Sequence, residues 1–305
     1  MDITSIFIQM LVLFGTIAVG FIAGKLRIVG PDFNRSLSGL IINFCASALI
    51  LNSVIGTERV LSNSQVLALT GIAVLSYAVL IVIAQFLPRL LGVKKADWGV
   101  WRFMTIFSNV GFMGFPVVQA IYGAEAVFFA AIFQIPFNLL CFTYGARLIG
   151  GEKLGPIRVR QFLNPMVIAT TLAYVLYLVG WRAPRVLVDF TGFVGSITSP
   201  GAMIVLGVSL ASVSLKSLFT EWRVYVLSAL KLVVIPVATY FALKGFVTNE
   251  LMLGITVIIM AMPAATNATI LAARYDGDQV TAAKGVFVST LLSVGSIPLL
   301  MWLLF

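Results

Sequence analysis

The chain consists of ten apolar segments separated by short turns, and each segment is long enough to cross a lipid bilayer as a helix. A bilayer span needs about 20 mostly apolar residues, and only helices and closed barrels satisfy the backbone there. Barrel strands alternate apolar and polar residues, whereas these segments are continuously apolar, so the sequence predicts an all-α integral membrane protein. The predicted spans are 4–24, 36–56, 65–87, 100–121, 125–148, 163–181, 186–211, 222–244, 250–272 and 280–304.

The composition agrees with a membrane protein and argues against a soluble one. Only 10% of the residues are charged and 60% are hydrophobic, whereas a soluble domain carries about 25% charged residues. A net charge of +9 would fit nucleic acid, but the basic residues lie in turns between apolar segments, so lipid is the expected partner. Cys45 and Cys141 fall inside apolar segments, which predicts no disulfide. Residues 1–305 are expected to form one transmembrane unit without a soluble domain.

The distribution of Lys and Arg predicts the orientation. With the N-terminus outside, the cytoplasmic turns hold fifteen basic residues and the opposite turns hold four. The fifteen are Lys25, Arg27, Arg35, Arg89, Lys94, Lys95, Arg102, Arg147, Lys153, Arg158, Arg160, Lys216, Arg223, Arg274 and Lys284; the four are Arg59, Arg182, Arg185 and Lys244. This asymmetry follows the positive-inside rule. It predicts a multi-pass protein of the cytoplasmic (inner) membrane with both termini extracytoplasmic. The N-terminus lacks the basic region of a cleavable signal peptide, so the first segment is expected to remain.

The ten spans divide into two halves of five, about 1–150 and 160–305. An odd number of spans in each half inverts the second half relative to the first. Inverted repeats are common in transporters, where the binding site lies near the midplane at discontinuous helices. The sequence therefore predicts two inverted five-helix repeats.

The fourth and ninth predicted spans contain poor helix formers at their centres. The fourth reads SNVGFMGFP over residues 108–116, and the ninth reads MPAATNAT over residues 262–269. Proline in a helix interior costs about 3 kcal/mol. We expect both helices to be broken, near Gly114–Pro116 and Pro263–Thr266, and to cross at the breaks. The alternative is ordinary proline kinks and small-residue packing faces, which membrane helices tolerate.

Broken helices expose half-helix N-termini, which favour anions such as carboxylates. Asn109 and Asn267 add neutral donors and acceptors there, and no Asp or Glu lies near either break, so no metal site is predicted. Asp276, at the cytoplasmic end of the ninth span, is expected to be merely solvated. The candidate substrate-binding residues at the two breaks are Asn109, Gly111, Gly114, Pro116, Pro263, Thr266 and Asn267.

Five further polar residues lie inside predicted spans. Lys231 is deep in the eighth span, where a Lys faces a cavity or a partner; it contacts the substrate or caps carbonyls at the end of a broken helix. Gln134 and Asn138 are one turn apart on one face of the fifth span, which favours a polar stripe facing the crossing. Asn43 and Ser47 of the second span either line the site or form helix–helix hydrogen bonds.

The residue types present argue against catalysis. The chain has no His, and it has neither paired intramembrane carboxylates nor a metal-spaced Cys cluster, so an enzyme with or without a cofactor is not expected. A channel would need a ring of filter residues from an oligomer, and a membrane receptor is a third alternative.

The predicted spans lack the carboxylates of a proton relay that could couple transport to protons. Uniport is the simplest remaining mechanism, and sodium coupling through backbone carbonyls stays open.

Three stretches resemble the auxin efflux carrier family. SNVGFMGFPVVQAIYG (108–123) is similar to its fourth helix, MPAATNATILAARYDGD (262–278) to its ninth and SPGAMIVLGVSLA (199–211) to its seventh. Gln134 falls where plant members also have glutamine. In the second span, Ala46 and Ser47 stand where the family usually has a proline, which weakens the transfer of substrate contacts from that helix.

The resemblance implies a fold similar to the bile-acid:sodium symporters. Helices 1, 2, 6 and 7 would form a scaffold, through which a homodimer could assemble, and helices 3–5 and 8–10 would form a moving transport unit. It also implies secondary transport of a small organic anion, such as a dicarboxylate or an auxin-like acid, by a bacterial-type permease. A sodium-coupled symporter of organic anions is the alternative.

Overall fold

The computed structural model describes residues 3–151, 164–211 and 221–305, with side chains from residue 7 onward. Within these ranges the chain is helical, and its only extended pairing is one isolated bridge between Ser108 and Ala264. The principal helices are α1 (Ile3–Lys25), α2 (Pro31–Ile55), α3 (Asn63–Leu90), α4 (Trp98–Ile106), α5 (Val110–Tyr122), α6 (Ala126–Gly150), α7 (Pro165–Val179), α8 (Arg185–Ala211), α9 (Arg223–Leu243), α10 (Glu250–Met260), α11 (Asn267–Arg274) and α12 (Gln279–Leu304).

The helices coincide with the predicted apolar segments. In the described part of the chain, seven helices are long and apolar enough to cross a membrane: α1, α2, α3, α6, α8, α9 and α12. Three more, α5, α7 and α10, are apolar but shorter. The prediction of an all-helical, multi-pass membrane protein is confirmed at this level. The expected junction between the halves near residue 155 lies outside the described residues, as do Lys153, Arg158, Arg160 and Lys216.

Helix α1 packs against the second half of α8, Thr198–Ala211, and glycines make the approach possible. A Cβ atom on Gly20 would collide with the backbone of Ile204, and one on Gly207 would collide with the Ile17 carbonyl oxygen. Gly24 similarly lies against Ala211 and Val208. Small residues that let backbones approach closely are a common means of joining helices in membranes. The pair therefore has little freedom to slide.

Helix α6 is the most buried of the seven long helices. It packs on α3, on α5, on α7 and on α10, and its Phe128, Phe129 and Phe133 are fully buried. Helix α2 packs on α7 and on the first half of α8. This arrangement places α6 beside α5 and α10, which are two of the four helices that begin or end at the interruptions described below.

Two prolines inside helices, Pro116 of α5 and Pro236 of α9, each follow a π turn closely. The π turn at Val110–Gly114 directly precedes Phe115 and Pro116, and the π turn at Leu230–Val234 directly precedes Ile235 and Pro236. A π turn shifts the hydrogen-bonding register, so it can absorb a residue that lacks a backbone N–H. The expected break near Gly114–Pro116 is therefore wrong, since the helix continues through both residues.

Candidate functional site

The two breaks meet and pair through their backbones. The Asn109 N–H donates to the Pro263 carbonyl oxygen at 2.8 Å, and the Ala265 N–H donates to the Phe107 carbonyl oxygen at 2.9 Å. The first break lies between Ile106 and Val110, upstream of the expected position. The second lies between Met260 and Asn267 and confirms the expectation of a break at Pro263–Thr266. The two breaks therefore lie in backbone contact, and the place where they meet is called the crossing.

The pairing explains how nonhelical backbone can exist deep inside a membrane protein. Irregular backbone at membrane depth is tolerated only where protein or a water-filled cavity satisfies it. Besides the two bonds of the bridge, the Ala264 N–H donates to Ser289 Oγ of α12 at 3.1 Å. Four half-helix ends therefore converge, namely the C-termini of α4 and α10 and the N-termini of α5 and α11. N-termini of helices attract anions.

Two buried side-chain amides at the first break retain unused hydrogen-bonding capacity. Asn109 and Gln134 are only 4% and 5% exposed. Among the described residues, Asn109 Nδ2 and Gln134 Oε1 find no hydrogen-bond partner. A Cβ atom added to Gly111 would lie 4.0 Å from Gln134 Oε1 and 3.7 Å from Met166 Cε, so the start of α5 leaves room beside Gln134. Buried polar groups normally have partners, and a donor and an acceptor left without them indicate a place for a ligand.

The described residues of the second break have no buried side-chain nitrogen or oxygen without a partner. Asn267, the first residue of α11, is half-buried, and its side chain lies beside the Cys141 thiol of α6. The Thr266 carbonyl oxygen accepts from Thr269 Oγ1 at 2.8 Å. The carbonyl oxygen of Pro263 is used in the bridge. The second break therefore contributes backbone groups that already have hydrogen-bond partners, whereas the first break contributes side-chain groups that have none among the described residues.

Lys231 reaches the first break from α9. Its side chain is 1% exposed, and its Nζ donates to the Thr105 carbonyl oxygen at 3.0 Å and to Ser108 Oγ at 3.0 Å. Thr105 lies in the last turn of α4, so the ammonium caps the negative end of this helix. Of the two alternatives open for Lys231 in the sequence, the structure shows the cap at a broken helix.

Three other predicted site residues, Asn138, Asn43 and Ser47, lie on long helices, and their described side-chain hydrogen bonds do not extend to the crossing. Asn138 Nδ2 donates to the Gln134 carbonyl oxygen at 2.9 Å. Asn43 Nδ2 donates to the Gly39 carbonyl oxygen at 2.8 Å, and Ser47 Oγ donates to the Asn43 carbonyl oxygen at 3.0 Å. All three bonds stay within their own helix.

Gly114 and Pro116 are buried, and Gly114 is packed against apolar neighbours. A Cβ atom on Gly114 would lie 3.1 Å from Ile259 Cδ1 and 3.6 Å from Met262 Cγ, so this glycine lets α5 approach α10 closely. Pro116 is buried inside α5.

Four residues at the crossing were not predicted: Thr105, Ser108, Cys141 and Ser289. Ser108 stands inside the motif at 108–116 and could have been found as the neighbour of Asn109. Thr105, Cys141 and Ser289 are single polar residues in apolar segments, which carry no signal of their own because their partners come from distant segments.

Comparison with known proteins places the chain among membrane transporters. Residues 5–301 match the family model described as "Membrane transport protein". A protein of Rhizobium meliloti (strain 1021) named "Putative malonate transporter" is 25% identical over 303 residues, covering 95% of this chain and 93% of its own length. An "Uncharacterized transporter" of Methanothermobacter thermautotrophicus is 26% identical over 288 residues, covering 93% of each chain. Another "Uncharacterized transporter", from Escherichia coli (strain K12), is 24% identical over 297 residues, covering 92% of each.

The family match spans nearly the whole chain, including both breaks and the residues around them. It agrees with the resemblance of the stretches at 108–123, 199–211 and 262–278. The chain belongs to the membrane transport protein family, which contains the auxin efflux carriers.

Proposed function

We propose that the protein is a secondary transporter that moves a small organic anion, a carboxylate, across the cytoplasmic membrane by alternating access. The anion binds at the crossing, beside Asn109, Gly111 and Gln134. The observation that carries this proposal is the pairing of two helix breaks next to buried amide groups that have no described partner.

The chemistry of the crossing favours an anion over a cation. Two helix N-termini point their amide groups toward it, and these carry partial positive charge. Lys231 adds a full positive charge at the first break, and neither break contains an Asp or Glu. The relative named for malonate supports a small dicarboxylate as the first ligand to test.

The helix arrangement supports ten spans in two inverted halves. In this proposal α4 and α5 together form the fourth span, and α10 and α11 together form the ninth. Helices α1, α2, α7 and α8 form the scaffold, since α1 packs tightly on α8 and α2 packs on both α7 and α8. The remaining helices form the moving unit.

The proposed topology places both termini on the outer side of the membrane. A reporter fused after Phe305 should then behave as extracytoplasmic. A cytoplasmic result would mean that the chain has one span fewer than proposed.

Polar contacts between the proposed units support a carrier rather than a continuous pore. Thr70 Oγ1 and Tyr174 OH of α3 and α7 lie 3.0 Å apart, and Ser199 Oγ donates to Gln119 Oε1 across α8 and α5 at 2.6 Å. Thr70, Tyr174 and Gln119 lie toward the helix ends that the proposed topology places outside. Bonds of this kind would close the outward side in one state and break in the other.

The test is uptake of radiolabelled malonate by the purified protein in liposomes. A carrier should give saturable uptake that unlabelled dicarboxylates compete away, and protein-free liposomes provide the background. Binding without accumulation would indicate a receptor, and uptake that does not saturate would indicate a channel. Stimulation by an inward sodium gradient would favour the sodium-coupled alternative. If no carboxylate binds or competes, the proposed ligand class is wrong.

A further inference from the structure

Lys231 is a charged side chain buried in the transmembrane region and placed against the candidate site. It lies in the π turn of α9, and its ammonium is held by one carbonyl oxygen of α4 and by the hydroxyl of Ser108. Ser108 is the residue directly before Asn109, whose side-chain amide has a buried nitrogen without a described partner. The ammonium of Lys231 therefore binds the side chain of Ser108, the residue next in sequence to the proposed ligand contact Asn109.

The described residues contain no carboxylate that neutralises this ammonium. The salt bridges found there join Arg185 to Asp189 and Arg223 to Glu221, and neither involves Lys231. The two acceptors of Lys231 are neutral oxygens. A buried charge without an opposite partner is costly, and such residues inside membranes commonly serve function. The excess positive charge is thus available to an incoming anion.

Capping a helix end at this crossing does not require a cation. Helix α10 also ends there, and its last carbonyl groups are satisfied by the turn that follows. The Ala261 N–H donates to the Val257 carbonyl oxygen at 2.9 Å, and the Met262 N–H donates to the Ile259 carbonyl oxygen at 3.3 Å. A neutral turn thus closes α10, whereas the end of α4 at the same crossing is closed by a full positive charge.

We propose that Lys231 is a fixed countercharge for the transported anion. It is a positioning residue: it holds the end of α4 and Ser108 in place, and its field makes the site prefer a charged ligand to a neutral one of the same shape. It does this without touching the ligand. This inference rests on the proposed function, because it concerns the charge preference of the same site.

The experiment measures binding of three ligands of similar shape to the purified full-length protein by calorimetry. They are malonate, its monoamide malonamate and its diamide malonamide, which differ in charge. Lys231→Met should reduce the ratio of malonate to malonamide affinity by roughly tenfold or more, the size expected for losing a nearby unit charge. Lys231→Arg keeps the charge and should retain the ratio within about threefold. Ser108→Ala, which loses a hydrogen bond but no charge, should also retain it.

The outcomes separate this inference from the proposed function. If Lys231→Met weakens all three ligands equally, or leaves the ratio unchanged, Lys231 is only structural and the inference is wrong. If the parent protein binds none of the three, the proposed ligand class fails and the inference fails with it. Should Lys231→Met not fold, the parent protein still provides a test. A fixed countercharge predicts equal malonate affinity in sodium, potassium and choline chloride, and a requirement for an alkali cation would overturn it.

Discussion

The two breaks at the crossing have the same backbone pairing but different side-chain chemistry. At the first break, the end of α4 is capped by the ammonium of Lys231, and Asn109 keeps a buried amide nitrogen without a described partner. At the second break, the hydroxyl of Ser289 accepts from the Ala264 N–H, and the Asn267 side chain lies beside the Cys141 thiol. The first break is charged and has a buried amide group without a described partner, whereas the second break is neutral and has no such group among its described residues.

The difference indicates that the two breaks have different roles in the site. Backbone bonds are reciprocal, so neither break can be moved without disturbing the other. Ligand recognition, in contrast, should depend on the first break, because unfilled polar groups gain most when a ligand supplies the missing partner. The second break should contribute chiefly to stability.

The largest expected effect separates the two asparagines. Asn109→Ala removes a free donor, and losing a hydrogen bond to a charged group costs about 1.5–3 kcal/mol. Malonate affinity should fall roughly ten- to a hundredfold, since about 1.4 kcal/mol corresponds to a factor of ten. Asn267→Ala should change affinity by less than about threefold, because no buried atom of its described side chain lacks a partner that a ligand could supply. Equilibrium binding to both purified variants is the measurement, and equal losses would show that the breaks are equivalent.

The next effect compares the groups that support each break. Lys231→Met should lower malonate affinity by roughly tenfold through loss of charge. Ser289→Ala leaves the buried Ala264 N–H without its acceptor, which should destabilise the fold by about 1–3 kcal/mol. Its malonate affinity should stay close to that of the parent protein. The measurements are malonate binding and thermal unfolding of both variants. A Ser289→Ala protein with weakened binding but parental stability would show that the second break, too, takes part in ligand recognition.

A smaller effect distinguishes two glycines of α5. Gly114→Ala pushes a methyl group toward Ile259 Cδ1, only 3.1 Å from the added atom, and overpacking costs typically about 1–3 kcal/mol. Some of this cost is offset because Ala is a better helix former than Gly by up to about 1 kcal/mol. Gly111→Ala meets no close contact and should keep its unfolding temperature. It should weaken malonate binding by a few-fold, because the methyl group enters the space beside Gln134. A lower unfolding temperature for Gly111→Ala alone would contradict this assignment.

The smallest effect is expected at Asp276, beyond the end of α11. Its backbone has a positive φ of 54°, a conformation that Asn adopts as readily as Asp. Asp276→Asn should therefore preserve the turn, and malonate affinity should remain within about twofold of the parent value, because the residue lies outside the crossing. A larger change in affinity would extend the functional region of the second break to its cytoplasmic end.

The helices could be predicted from the sequence because the requirement for a span is local. An apolar run of sufficient length specifies a helix whatever it packs against, and the predicted spans agree with the observed helices. The second break was also predictable, since Pro263 is followed closely by Thr266 and Asn267, which have weak helix preference. The position predicted for the first break was wrong, because the π turn at Val110–Gly114 accommodates Pro116 within the helix. The helix is interrupted between Ile106 and Val110 instead.

The candidate site was only partly predictable. Asn109 and Gln134 were identified as polar residues in apolar segments, and both lie at the first break with unfilled atoms. The same reasoning selected Asn267, yet its described side chain lies beside Cys141 and has no buried atom without a partner, which only the packing of α11 on α6 reveals. Asn43 and Ser47 were also selected, and their side chains bond within α2.

By itself the sequence determined that the chain spans a membrane, where its helices lie and that two of them carry helix-breaking residues. The tertiary structure decided which backbone groups pair across the breaks and what Lys231 binds. The physical reason is distance along the chain. Helix formation depends on neighbours within a turn or two, whereas Lys231 and the Thr105 carbonyl are 126 residues apart and meet only because α9 packs beside the end of α4.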